Sequence, residues 1–168
     1  LASLSGMLPD SPLLECAGLA PGSRLMGVFR DEMPQTIVTS IYNFHLDLVR
    51  LEGEESTVLI DNLRRTVDPD IRRGLQIVKT CEDLRRAADY AGHADYLLLD
   101  PVEAAQEWLT DWEAPVPFLL RRGKKEAEGS SLPDFHHPRL AGYCLGEEME
   151  QAPGRIDATK VQRLLDNL

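Results

Sequence analysis

Short apolar runs alternate with longer amphipathic segments along the whole chain. Each run is four to six residues long and carries few charges, which is typical of a strand buried on both faces. The longer segments between them place apolar residues at helical spacing. Strands are predicted at 25–29, 46–51, 75–79, 96–99, 117–120 and 140–145, and helices at 34–44, 56–66, 82–92, 102–112 and 158–168.

Residues at two helix ends support these assignments. Pro34 suits the first turn of a helix, and Gly92 suits the residue that ends one. Strand–helix pairs recurring about every 20–25 residues indicate parallel βαβ units. This pattern is shared by the open doubly wound sheet and the closed barrel, so periodicity alone does not choose between them.

Length and composition narrow the class of protein. The 168 residues fit a single domain, 1–168, with its own hydrophobic core. No apolar run reaches the roughly 20 residues of a membrane-spanning helix, and residues 1–7 make a poor signal peptide. The net charge of −10 argues against a nucleic-acid partner. The basic run 121–125 is interpreted as a solvated loop, so neither nucleic acid nor membrane is expected as a partner.

The residues that commonly bind metals or cofactors form no known motif. The spacing of Cys16, Cys81 and Cys144 matches neither a zinc site nor a redox pair, and reduced thiols favour a cytoplasmic protein. The neighbouring His136 and His137 cannot easily face one ion, so no metal is expected. Neither GxGxxG nor GxxxxGK[ST] occurs, and no cofactor is expected.

Five stretches in order resemble the phosphoribosylanthranilate isomerase family of tryptophan biosynthesis. Leu25–Phe29 is similar to the family's VGVF strand, and residues 46–56 to its LDxVQLHGxES signature. Residues 96–100 resemble LLLD, 117–120 resemble PFLL, and 137–157 resemble the closing HPRLAG…ExxPGxKD segment. Each stretch includes or adjoins a strand that the apolar pattern predicts. The last stretch also continues beyond its strand.

The resemblance implies an α/β fold, a TIM-type (β/α) barrel whose active site lies at the carboxyl ends of the strands. The match starts at the family's second strand, so the barrel is expected to lack the first β/α unit and to have about seven strands. Strand-end loops are expected to be shortened, since residues 101–105 replace a Gly-rich phosphate loop. A homodimer could cover the two open barrel edges.

Residue by residue, the resemblance implies that much of the family's chemistry is replaced. The catalytic Cys of the KxCG motif has no counterpart, or is replaced by Ser5, a far weaker base. Leu13 stands where an Arg binds the substrate carboxylate. Asp100 matches the remaining member of the acid–base pair and would be the general acid of an active enzyme.

The positions implied to bind substrate are Arg50, Glu52, Gly123 and Gly146. Arg50 and Glu52 replace the Gln and His of QLHG, and Gly123 and Gly146 fall in the segments that bind phosphate. Glu52 and Glu147 are expected to repel an anionic substrate. Two further positions have weaker implied roles. Cys144 replaces an Asp of the family. Lys79 would form a Schiff base only if a neighbour lowered its pKa.

The resulting expectation is a phosphoribosylanthranilate isomerase-like protein with lost or strongly impaired isomerase activity, a pseudoenzyme. One alternative is an active isomerase that performs the Amadori-type isomerisation of a phosphorylated small molecule, with Asp100 as general acid and the first strand missing from this chain. Another is a non-catalytic interaction or structural protein on a barrel scaffold. A barrel enzyme with a different substrate is a further alternative.

Overall fold

A parallel β-sheet forms the frame of the protein. The computed structural model describes residues 2–3, 24–99, 109, 111–121, 136–144, 150–152, 155–157 and 159. Seven strands follow one another in the sheet in chain order, and each pairs with its neighbour in parallel. They are β1 (Ala2–Ser3), β2 (Leu25–Phe29), β3 (Leu48–Leu51), β4 (Gln76–Cys81), β5 (Tyr96–Leu99), β6 (Phe118–Arg121) and β7 (Leu140–Cys144). The short strands β8 (Glu150–Ala152) and β9 (Arg155–Ile156) form a separate antiparallel ribbon.

Helices connect the strands, and their first turns follow from local residues. Helix α1 (Pro34–Phe44) begins with the proline that the sequence places there. Helix α2 (Thr57–Thr66) is capped by Ser56, whose hydroxyl accepts from the Leu59 amide. Helix α3 (Pro69–Gly74) follows Asp68, whose carboxylate accepts from the Asp70 amide. A 3₁₀ helix (Leu84–Tyr90) connects β4 to β5.

Most of the predicted elements within the described residues are confirmed, and two differ. The six predicted strands are present with ends shifted by at most two residues, and α1 and α2 occur where predicted. Within the predicted helix 82–92, Leu84–Tyr90 forms a 3₁₀ helix rather than an α-helix, and Gly92 lies in the following turn with a φ of 79°. Helix α3 was not predicted. The predicted helices 102–112 and 158–168 fall almost entirely outside the described residues.

The sheet is covered on both faces, as the apolar strands predict. On β3, alternate residues pack on opposite sides: Val49 and Leu51 belong to the core between sheet and helices, and Leu48 belongs to a second cluster. That second cluster is the inner one, formed by Met26, Leu48, Val78 and Leu98 from four successive strands. The alternation places every second residue of β3 in the interior, including Arg50 beyond Leu48.

The sheet curls on itself around this inner cluster. Strands β4 and β5 separate β3 from β6 and β7 in the sheet order, yet side chains from β3 meet those of β6 and β7. Arg50 reaches Cys144 on β7, and Glu52 beyond β3 reaches Arg121 on β6. The protein is therefore an α/β fold of the TIM-barrel type, although β1 and β7 are not paired with each other in the residues that the structure describes. The loop predicted to be shortened, at residues 101–105, lies outside the residues that the structure describes.

Polar side chains at the amino end of the barrel bind the backbone. The Asp47 carboxylate accepts from the Leu25 amide at 2.8 Å, and the Asp95 carboxylate from the Ile77 amide at 2.6 Å. His137 accepts from the Arg139 amide through Nδ1, which leaves its Nε2 to donate to the Trp112 carbonyl at 2.9 Å. These bonds fix the starts of β2, β4 and β7. Across the described part of the chain, no helix is long and apolar enough to cross a membrane.

Candidate functional site

A cluster of three arginines around one carboxylate lies at the carboxyl ends of the strands. Glu52 follows β3, Arg30 follows β2, and Arg121 ends β6. Glu52 Oε1 accepts from Arg50 and, at 3.1 Å, from Arg121, while its Oε2 lies 3.3 Å from Arg30 Nη2. We call this set, Arg30, Arg50, Glu52 and Arg121, the arginine cluster. It occupies the end of a TIM-type barrel where active sites are found.

Arg50 is the buried member of the cluster. Its side chain is 9% exposed, and it points into the interior from β3. Its Nε donates to Thr80 Oγ1 at 3.5 Å, its Nη1 to Cys144 Sγ at 3.6 Å, and its Nη2 to Glu52. Because a buried guanidinium needs a counter-charge and acceptors, this arrangement explains why a carboxylate follows two residues later.

Glu52 is held in its ionised form. Burial favours the neutral acid, but hydrogen bonds and charge from Arg50 and Arg30 outweigh burial and lower the pKa of Glu52 below its ordinary value of 4.5. A general base works best when its pKa is near the working pH. Glu52 is therefore suited to organising guanidinium groups and poorly suited to removing a proton at neutral pH.

The loop after β2 and the loop after β3 contact each other beside the arginine cluster. The Asp31 carboxylate, which follows Arg30, accepts from the Glu54 amide at 2.7 Å. A Cβ on Gly53 would lie 2.2–2.6 Å from the atoms of that carboxylate, so glycine is required by this close approach. The loop after β2 and the loop after β3 are thus fixed to each other, and they carry Arg30 and Glu52.

A second ion pair lies on the other side of the sheet. Glu55 Oε2 is 3.1 Å from Lys79 Nζ, and the two side chains are 1% and 3% exposed. Glu55 Oε1 also accepts from the Asp31 and Gly53 amides at 2.9 and 3.2 Å. Lys79 Nζ donates to the Gly53 carbonyl and lies 5.8 Å from the centre of the Tyr90 ring. The pair is enclosed between the sheet and the helix layer.

The structure brings together part of the predicted site. Arg50 and Glu52 meet at the strand ends, whereas Asp100, Gly123 and Gly146 lie outside the described residues, as do Ser5, Leu13 and Glu147. The expectation that Glu52 repels an anionic substrate stays a prediction, and the structure adds that three arginines surround this carboxylate. Lys79 does not face the interior, and its enclosure with Glu55 leaves no access for a Schiff-base substrate.

Two members of the arginine cluster were missed by the sequence analysis. Arg30 follows the predicted strand 25–29 directly, and Arg121 follows the predicted strand 117–120. A charged residue at the carboxyl end of a barrel strand is a signal for the site, and it was available for both. Their convergence on one carboxylate could not be predicted, because it depends on how far the sheet curls.

The chemistry available to the described residues at the strand ends is anion binding. The four residues of the cluster are three guanidinium groups and one carboxylate, which sum to a charge of +2. Guanidinium groups match carboxylate and phosphate oxygens with paired donors. Within the part of the chain that is described, no three His, Cys, Asp or Glu side chains are placed to hold a metal ion.

Comparison with known proteins finds similarity to phosphoribosylanthranilate isomerases, both in sequence and in structure. The chain is 27% identical over 157 residues to the N-(5'-phosphoribosyl)anthranilate isomerase of Parabacteroides distasonis, covering 85% of this chain and 68% of the relative. It is 32% identical to that of Microcystis aeruginosa, covering 85% and 71%. A crystal structure of phosphoribosyl anthranilate isomerase with reduced 1-(o-carboxyphenylamino)-1-deoxyribulose 5-phosphate superposes with a TM-score of 0.70 at 19% identity, covering 99% of this chain and 84% of that one. No protein-family model matches the chain.

Proposed function

The chain belongs to the phosphoribosylanthranilate isomerase family of tryptophan biosynthesis, and on that premise we propose that it binds an anionic phosphorylated ligand at the strand ends but has lost most of the isomerase activity. The observation that carries this proposal is the state of Glu52. Three arginines surround this carboxylate at the strand ends. Burial raises its pKa, but Arg50 and Arg30 outweigh burial and lower it, which makes Glu52 a weak base.

The sequence adds support at positions that the family uses for chemistry. By the resemblance, Ser5 stands at the catalytic Cys in one alignment, and Leu13 stands where the family has the Arg that binds the substrate carboxylate. Asp100 remains as a candidate general acid, and Gly123 and Gly146 as candidate contacts to the phosphate. A general acid without a matched base and a positioned substrate loses the usual benefit of acid–base catalysis, about 100- to 10,000-fold.

Turnover of N-(5'-phosphoribosyl)anthranilate tests this proposal. The purified protein is assayed beside the Microcystis relative under the same conditions, and the ring-opened product is quantified by chromatography. We expect conversion at least about 1,000-fold slower than that of the relative, the size of the lost acid–base contribution. A rate within tenfold of the relative would overturn the proposal.

An active isomerase is the second candidate, and the charge of the arginine cluster favours it. The four cluster residues sum to a charge of +2, which favours a substrate with a carboxylate and a phosphate more than Glu52 alone would. In that case Asp100 is the general acid, and Asp100→Asn abolishes turnover while substrate binding is kept. The same variant has no effect on turnover if Asp100 is a structural residue.

A second copy of the chain is the partner that the sheet suggests. Strands β1 and β7 are the two edges of the sheet in the described residues, and exposed edges of parallel sheets are usually covered. We propose a cytoplasmic homodimer built from the single domain 1–168. Light scattering after size exclusion separates the monomer mass of 18.8 kDa from the dimer, and a monomer at micromolar concentration would exclude this partner.

A further inference from the structure

Asp31 has a backbone conformation that its own loop does not explain. Among the described residues, the non-glycine residues with a left-handed backbone are Asp31 and His45, each with a φ of 50°. His45 ends helix α1, where this conformation is ordinary. Asp31 instead lies two residues beyond β2 and ends no helix. Such conformations cost free energy, and they cluster at functional sites.

We propose that Asp31 is a positioning residue, which holds Arg30 against Glu52 at the carboxyl ends of the strands. Asp31 acts from the loop after β2 and does not itself belong to the arginine cluster. This role rests on the proposed function, because it concerns the site where the anionic ligand is proposed to bind. It assigns a functional part to a residue that the sequence motifs did not identify.

Both the backbone and the side chain of Asp31 bond to the loop after β3. The Asp31 amide donates to Glu55 Oε1 at 2.9 Å, and the Asp31 carboxylate accepts from the Glu54 amide at 2.7 Å. Glu55 is itself fixed by Lys79, 3.1 Å away, in a pair that is almost fully buried. Two hydrogen bonds to an anchored loop offset the cost of the left-handed backbone and hold it in place.

Arg30 depends on this anchoring for its place beside Glu52. Its side chain is 67% exposed, and its Nη2 lies 3.3 Å from Glu52 Oε2. An exposed ion pair contributes little by itself, because holding a long side chain in one geometry costs conformational entropy. Asp31 directly follows Arg30 in the chain, so fixing the Asp31 backbone also fixes the point from which the Arg30 side chain starts.

The pKa of Glu52 reports whether Arg30 stays in place. Burial raises this pKa, and hydrogen bonds and charge from Arg50 and Arg30 lower it. If Asp31 holds Arg30, removing the Asp31 side chain raises the pKa of Glu52. The direct loss of the Asp31 charge acts in the opposite direction, because a neighbouring carboxylate disfavours ionisation of another. The sign of the change therefore separates positioning from simple charge removal.

Carbon-13 NMR of glutamate-labelled protein follows the titration of the Glu52 carboxyl group, and the spectrum of Glu52→Gln assigns its signal. The variants compared are Asp31→Gly and Asp31→Asn. Glycine and asparagine both accept a left-handed backbone, but only asparagine keeps an acceptor for the Glu54 amide. Arg30→Gln gives the rise that follows loss of the arginine. Asp68→Gly is the matched control, because the Asp68 carboxylate also accepts from a backbone amide, at the other end of α2.

We expect the Glu52 titration midpoint to rise in Asp31→Gly by at least about half of the rise in Arg30→Gln, and not to rise in Asp31→Asn or Asp68→Gly. Urea unfolding midpoints establish that each protein is folded. An unchanged or lower midpoint in Asp31→Gly, or an equal rise in Asp31→Asn, would overturn the positioning role. Isothermal titration with anthranilate, an aromatic carboxylate, probes the proposed ligand binding separately, because the Glu52 midpoint is measured without a ligand.

Discussion

Glu52 and Glu55 leave the same loop on opposite sides of the sheet and meet different surroundings. Glu55 turns to the helix layer, where one lysine and two backbone amides satisfy it in full burial. Glu52 turns to the interior, where it meets three arginines and keeps 18% of its side chain exposed. The difference separates a structural ion pair, closed by burial and backbone partners, from the strand-end cluster where we propose that an anionic ligand binds.

The largest effect is expected from Glu55→Gln. Removing this charge leaves Lys79 buried without its counter-charge, which typically costs about 3–5 kcal/mol of unfolding free energy. Urea denaturation measures the loss. Glu54→Gln is the matched control, because Glu54 lies in the same loop but is exposed and pairs with Arg86 at the surface. A destabilisation by Glu55→Gln no larger than that of the control would contradict the structural role of this pair.

Gly53→Ala should have the next largest effect on stability. Gly53 lies in the loop after β3, between Glu52 and Glu55. The new Cβ would meet the Asp31 carboxylate, which is fixed by the Glu54 amide, and the overpacking costs about 1–3 kcal/mol. We also expect weaker anthranilate binding, because Arg30 moves with Asp31. Gly74→Ala serves as the control, as nothing lies within 4 Å of its Cβ position. If both alanine variants unfold at the wild-type midpoint, the loops are not interlocked as described.

The smallest effect concerns the dependence of stability on pH. The Glu52 pKa is lowered in the folded protein despite burial, chiefly by Arg50 and Arg30. A lowered pKa stabilises the fold above the ordinary value of 4.5 and loses that contribution as the pH falls through the folded value. The stability advantage of wild type over Glu52→Gln should therefore shrink below pH 4.5. Parallel stability curves for the two proteins from pH 7 to 3 would show that Glu52 gains nothing from its arginines.

Much of the strand framework was predictable, because strands covered on both faces must be apolar throughout. The charged residues inside these runs, Arg50 and Lys79, were visible in the sequence, but the sequence did not tell which face each would occupy. The alternation of β3 and β4 places Arg50 inside and Lys79 outside. One residue of register separates a cation that faces the barrel interior from one that faces the helix layer.

The helical segments show a different limit of prediction from the sequence. In 84–90, Leu84, Ala87 and Tyr90 recur at every third residue and pack on the core, which is the period of a 3₁₀ helix and was mistaken for that of an α-helix. The six residues of α3 are too few for a periodic pattern, although Asp68 and Pro69 are typical of a helix start. Short elements are defined by their caps more than by their apolar spacing.

The contrast between the two carboxylates is tested most directly by anthranilate titration of Glu52→Gln. The glutamine keeps a hydrogen-bond acceptor for Arg50 but removes a negative charge from the strand ends, where we propose that the anionic ligand binds. We predict binding about fivefold tighter than in wild type, which corresponds to removing one repulsive charge at about 4 Å in a solvated site. Unchanged or weaker binding would contradict the account, since Glu52 would then be part of the fold in the same way as Glu55.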